Sequence, residues 1–175
     1  MSKHIFLTGA VQAGKSTVLE KVLSGLNVTF GGFRSGSGSE RHQADRPLYL
    51  WDAADEPIYD PAHQVARITA QERISFPARF DTLGCAALDR AKQAGVDLIV
   101  MDECGFLERD AAQFQAAVLN TLDGSIPVLG VVRLRSEGWT DAIRTHPNVT
   151  LITVTEENRD QLPGQILSLL QQNMV

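Results

Sequence analysis

Apolar residues in this chain fall in short unbroken runs, separated by stretches where they recur every three or four positions. "HIFLTG" near the N-terminus reads as a first strand, and "VDLIVMDE" and "IPVLGVV" are continuous apolar runs of the kind expected when a strand is covered by helices on both faces. "VTLITV" is a further strand. In "KSTVLEKVLSGL", Val18, Leu19, Val22, Leu23 and Leu26 share one helical face, with Gly25 close to the end. "DTLGCAALDRAKQAG" and "DAAQFQAAVLNTL" are helices before the second and third apolar strands, "LPGQILSLLQQ" closes the chain, and "WTDAIRTHP" is a shorter helix ended by Pro147. Strand, helix, an irregular middle and then regular alternation predict an α/β domain with a mainly parallel central sheet in three layers.

The middle breaks the pattern. Residues 31–46 lie in "GGFRSGSGSERHQADRP", rich in glycine, serine and charge, and read as a loop that is either a flap over a site or disordered. "LYLWD" follows as a β-like run and "EPIYD" as a turn. Pairing of "NVTFGGFRS" with "LYLWD" predicts a β-hairpin excursion over residues 28–58.

Length narrows this to one unit: 175 residues, 43% of them apolar, suffice for one well-buried core, so residues 1–175 are expected to form a single domain. No apolar run approaches the roughly 18 residues of a membrane helix, and "MSKH" runs into "IFLTG" without a basic leader and cleavage site. A cytoplasmic protein without a membrane partner is expected. Cys85 and Cys104 have neither the number nor the spacing of a disulfide framework or zinc site and read as reduced thiols. His4, His42, His63 and His146 are scattered, and Trp51 and Trp139 suit a core or an edge, although Trp51 beside the glycine-rich loop is also placed to stack on a base. A net charge of -5 argues against a nucleic-acid partner, since that affinity comes from many cations displacing counterions. A small anion remains compatible if positive groups gather at one place.

"GAVQAGKS" at residues 9–16 supplies that place. It fits G-x-x-x-x-G-K-[S/T] and sits between an apolar strand and an amphipathic helix, the context a phosphate loop requires. Gly9 and Gly14 let the backbone N–H groups of Ala10, Val11, Gln12 and Ala13 turn inward, and the helix begins with a positive dipole end of roughly half a charge facing the anion. Lys15 reaches the β- and γ-phosphates, Ser16 offers a hydroxyl to Mg²⁺, and Thr17 is placed for the α-phosphate. In "LIVMDE", Asp102 at the tip of a parallel strand neighbouring the loop strand is placed to hold Mg²⁺ through water. Glu103 follows as the group that polarises an attacking water.

Together "IFLTGAVQAGKST", "GGFRS", "LIVMDECGFLERDAAQF", "IPVLGVV" and "VTEENRDQLP" resemble, in order and over most of the chain, the THEP-type or cancer-related nucleoside triphosphatases. That resemblance implies a P-loop domain related to RecA-like and AAA-type ATPases, with slow Mg²⁺-dependent hydrolysis of ATP, GTP and other nucleoside triphosphates. It assigns Gly9, Gly14, Lys15, Ser16 and Thr17 to the phosphate loop and Asp102 and Glu103 to the family's acidic pair. Gly105 and Glu108 match residues just beyond the pair. Asn158 and Arg159 match a T-x-E-N-R-D segment that borders the base or ribose, or else forms a turn capped by Thr155. Three features depart from the pattern: "AVQA" stands where many relatives carry "PPGV", Cys104 replaces an aliphatic residue, and the glycine-rich middle differs.

Phosphoryl transfer also calls for positive charge, and an arginine finger contributes about 10³ to 10⁵ in rate. Arg133, ending the "VLGVVR" strand, is the first candidate, and Arg34 is another. Arg67, Arg73 and Arg79 are placed instead to recognise a second substrate. Hydrolysis is thus the first reading. A small-molecule or nucleotide kinase, with an acceptor hydroxyl in place of water, is the second. A nucleotide-dependent interaction switch with little turnover, ordering "GGFRSGSGSERH" on binding, is the third.

Overall fold

The computed structural model describes residues 3–134 and 138–174. Eight strands form one sheet in the order β5-β4-β3-β2-β6-β7-β1-β8. The strands are β1 (His4–Thr8), β2 (Phe30–Gly36), β3 (Arg46–Asp52), β4 (Gln64–Ile68), β5 (Arg73–Ser75), β6 (Leu98–Cys104), β7 (Val128–Val132) and β8 (Val149–Thr153). From β2 through β6, β7 and β1 to β8 the pairing is parallel; β2 to β5 form an antiparallel extension.

Alternation along the strands divides the core between the two faces of the sheet. From β1, Ile5 and Leu7 join Val18, Leu19 and Ile166 beneath helices α1 (Lys15–Gly25) and α6 (Leu162–Asn173). Phe6 points to the other face, among Phe33, Phe80, Phe114 and Val118, under α3 (Cys85–Ala94) and α4 (Ala112–Leu122). The helical run into α3 starts earlier than expected, with α2 (Pro77–Arg79) and a π-type turn at Phe80–Gly84 ahead of it, and α5 (Asp141–Arg144) is one turn long. His4, fully buried on β1, ties this core together: Val128 N–H donates to its Nδ1 at 3.1 Å and its Nε2 meets the Leu122 carbonyl at 2.8 Å. Burial lowers its pKa, so the ring is a structural neutral imidazole.

The expected hairpin forms, with Phe33 opposite Asp52 and Gly36 opposite Tyr49. The predicted 31–46 loop, however, is shorter, spanning only residues 37–45. Strand β2 runs to Gly36 and β3 begins at Arg46, because Gly31 and Gly32 are buried against β6 and α3 where side chains do not fit. Trp51 is buried and packs edge-on against Tyr59, 5.5 Å between ring centres, as a core residue of the extension. Strands β4 and β5 were not anticipated. Among the described residues no helix is long and apolar enough to cross a membrane. Cys104 is buried and Cys85 half-buried, both as free thiols.

Candidate nucleotide site

Between β1 and α1 the chain makes a tight loop. Gly9 has φ 150, and a Cβ there would lie 2.6 Å from the Val154 carbonyl oxygen; Gly14, at φ 109, hands the chain into α1. Gln12 adopts φ 64, the left-handed region, at the place where "PPGV" has its glycine. An L side chain there costs roughly 1 kcal/mol, an expense glycine would not incur. Lys15 Nζ donates to the carbonyls of Gly9 at 2.6 Å and Ala10 at 3.2 Å, so the ammonium is held over the loop. Burial lowers its pKa while Glu103 opposes that shift.

The acidic pair lies at the tip of β6, but that strand does not neighbour β1. Strand β7 lies between them. The sequence could not reveal this, since sheet order depends on contacts across the whole chain and not on local periodicity. The inserted strand has a chemical consequence: Arg133, the residue after β7, joins Lys15 and Glu103 on one cleft. Its Nε donates to Glu103 Oε1 at 3.1 Å, and its carbonyl accepts from Arg144 Nη2. Gly105 makes room for it, because a Cβ on Gly105 would lie 2.9 Å from Arg133 Cγ.

Asp102 and Glu103 serve different sides. Asp102 sits opposite Arg34 in the β2–β6 register, and Arg34 Nη2 donates to its Oδ2 at 3.3 Å while Nη1 contacts Glu20 Oε1 at 2.5 Å. Burial pushes the Asp102 pKa up to about 6 against the pull of Arg34. The Arg34–Asp102 pairing had no local sequence signal, since the two residues are 68 positions apart. Ser16 and Asp102 line the same cavity, and among the described residues no group of three His, Cys, Asp or Glu side chains could hold a metal by itself. A hydroxyl with a single carboxylate fits Mg²⁺, a hard ion that keeps several waters and shares its coordination with substrate phosphates.

A cleft of about 420 Å³ joins these parts. Gln12, Lys15, Ser16 and Thr17 form its near wall, and Glu103 and Arg133 its far wall. Arg159 borders it too, its side chain lying against Gly14. Asn158 has its amide engaged with backbone: Oδ1 accepts from Thr155 N–H at 2.8 Å and Nδ2 donates to the Thr153 carbonyl at 2.9 Å. Thr155 Oγ1 accepts from Asn158 N–H, the capped-turn arrangement. Arg67 pairs with Asp45 and Arg79 donates to the Pro61 and Gln64 carbonyls, while Arg73 lies on β5. None of these three lines the cleft or the cavity beside it, so they do not form the acceptor site expected of them.

The loop after β6 is fixed by Glu108. Its Oε2 accepts from Gly105 N–H at 2.9 Å, and Trp139 Nε1 donates to the Gly105 carbonyl at 2.9 Å. Burial pushes the Glu108 pKa from 4.5 to about 7. The folded state therefore holds this proton more tightly than the unfolded chain; the associated stability is complete below 4.5 and is lost as pH rises through about 7. Glu108→Gln keeps an acceptor for Gly105 without a charge to bury. Its unfolding temperature should gain on wild type between pH 5 and pH 8, by the equivalent of about 3 kcal/mol at the upper limit. A difference that stays constant with pH would contradict this.

A family model described as "NTPase" matches residues 4–167. The nucleoside-triphosphatase THEP1 of Thermotoga maritima is 26% identical over 169 residues, covering 97% of this chain and 96% of that protein. The cancer-related nucleoside-triphosphatase homolog of Bos taurus is 28% identical over 195 residues, 98% of each chain. The crystal structure of THEP1 from Aquifex aeolicus superposes with a TM-score of 0.78 at 23% identity, covering 96% of this chain and 99% of that one, a likeness of fold.

Proposed function

We propose, from the premise that this chain belongs to the NTPase family and is a nucleoside-triphosphate phosphohydrolase, that its hydrolysis requires Mg²⁺ and tolerates different bases. The observation that carries this reading is the convergence of Lys15, Ser16, Glu103 and Arg133 on one cleft at the tip of the parallel strands. The loop N–H groups of Val11, Gln12 and Gly14 cradle the phosphate tail, whereas the Ala13 N–H expected to join them donates to the Ala10 carbonyl at 3.1 Å. Lys15 exchanges the Gly9 and Ala10 carbonyls for β- and γ-phosphate oxygens, a better match for its charge. Glu103 accepts a proton from water as the water oxygen bonds to the γ-phosphorus and the bond to the bridging oxygen breaks. Arg133 turns from Glu103 to the charge spreading over the γ-phosphoryl oxygens. Ser16 and Asp102 are the residues that would hold Mg²⁺, Asp102 through water, and the ion would supply neutralisation of the charge on the phosphate tail. Base tolerance is supported by the site's composition, since its charged groups address phosphates; Arg159 stands at its border.

Phosphate release should occur with ATP, GTP, CTP and UTP, with rates within about tenfold of one another, and stop when EDTA removes Mg²⁺. Release that persists in EDTA, or is confined to one base, would overturn the proposal. Lys15→Ala should lower kcat/KM for ATP by about 10²-fold, in line with loss of one preorganised charge donor. An unchanged value would remove Lys15 from the site.

A further inference from the structure

A second cavity of about 200 Å³ opens from the triphosphate cleft, and Ser16, Glu103 and Arg133 line both. A Mg²⁺ held by Ser16 and Asp102 would take part of this space, and one attacking water about 30 Å³ of liquid volume; neither calls for the wall formed by Arg46, Leu48 and Ile68. The volume lies below the roughly 300 to 1,000 Å³ of drug-sized ligand sites, so its occupant is a small molecule.

The chemistry of the far wall comes from the antiparallel extension. Arg46 lies opposite Ile68 and Leu48 opposite Ala66, so Arg46, Leu48 and Ile68 share one face of the sheet. Ser35, opposite Leu50, belongs to the same face. Arg46 is the informative residue. Its Nη1 donates to the Gln43 carbonyl at 3.0 Å, and among the described residues no carboxylate lies within ion-pairing distance of it, whereas Arg34, Arg67, Arg90 and Arg133 are each paired with an acid. Asp102, Glu103 and Glu108 also line the cavity, so an oxyanion is suited only to its Arg46 side, where the cation has no acid partner among the described residues. The apolar surface of Leu48, Ile68 and Leu107 suits a short carbon skeleton. Glu103, on the wall shared with the triphosphate cleft, suits a hydroxyl.

We infer that this cavity binds a small hydroxylated oxyanion, a phosphomonoester or carboxylate, and that the protein transfers the γ-phosphoryl group to its hydroxyl. The inference rests on the proposed role of the triphosphate cleft and adds an acceptor other than water. Glu103 takes the hydroxyl proton as the acceptor oxygen bonds to the γ-phosphorus. The bond from that phosphorus to the β,γ-bridging oxygen breaks, and the nucleoside diphosphate leaves with the electron pair. The hydroxyl must lie at Glu103 while Arg46 holds the oxyanion, so the two groups of the ligand are separated by a short skeleton.

Glycerol 3-phosphate and glycerate are the probes, each added with Mg²⁺ and ATP to the full chain and followed by phosphorus NMR. With at least one of them, a new phosphate-ester resonance should grow at the expense of free phosphate, at a rate that saturates with probe. Arg46→Ala should lower kcat/KM for that probe at least tenfold with an unfolding temperature matching wild type, and Arg46→Lys should recover part of the loss. Only free phosphate with both probes, or transfer that Arg46→Ala leaves unaltered, overturns the inference. Reactions without probe separate the two proposals: no phosphate release there fails the hydrolase reading itself, while normal release without transfer fails the acceptor site alone.

Discussion

Replacing Glu103 with glutamine is expected to lower phosphate release from ATP by about 10² to 10⁴-fold, the contribution of a positioned general base. Glutamine keeps the length of the side chain and an oxygen that can still accept from Arg133 Nε, now at 3.1 Å from Glu103 Oε1. What it loses is basicity toward water. The phosphate loop on the opposite wall is unaltered, so the dissociation constant of Mg²⁺-loaded ATP should stay within a few-fold of wild type. Single-turnover rates and fluorescent-nucleotide titration on the same preparation measure both quantities. Turnover close to wild type would show that the proton goes elsewhere.

Arg133→Ala is expected to reduce kcat by about 10³-fold, the lower end of what an arginine finger contributes, with KM moving only a few-fold. That split separates charge stabilisation in the transition state from simple ground-state binding. Arg133→Lys should recover little of the loss, because a point charge on a flexible stem does not reproduce the planar fork of donors. Since Arg133 also pairs with Glu103, the alanine variant leaves that carboxylate without its partner. The effects of Arg133→Ala and Glu103→Gln should therefore be less than additive when combined. Rates for the single and double variants test this, and full additivity would place the two residues in independent roles.

These two residues also mark how far the sequence could be read. The strand, glycine loop and helix from His4 to Gly25 were legible because the apolar period changes there from continuous to helical while the loop keeps fixed glycine and lysine positions. The carboxylates of β6 were legible for the same reason, as acids ending an uninterrupted apolar run. Their setting was not. Placing β7 between β1 and β6 is a matter of long-range pairing, and it is what brings Arg133 to the cleft that Lys15 and Glu103 share. Strands β4 and β5 escaped notice because "QVARI" and "RIS" are short and carry exposed polar residues, a weak period-two signal. Gly31 and Gly32 misled in the other direction. Glycine usually signals a turn, but here it lets β2 lie close to β6 and α3. Arg34 and Arg46 gained their meanings only when the extension set one beside Asp102 and the other in the cavity wall.

The central claim is that one cleft holds a magnesium-loaded triphosphate between the loop at residues 9–17 and the acids at 102–103. Its most direct measurement is calorimetric titration of the wild-type chain with a non-hydrolysable ATP analogue in excess Mg²⁺, paired with the unfolding temperature of the same samples. Saturable heat at one analogue per chain, with a rise in unfolding temperature that disappears in EDTA, is the predicted result. Absence of both heat and thermal shift in Mg²⁺ would contradict it.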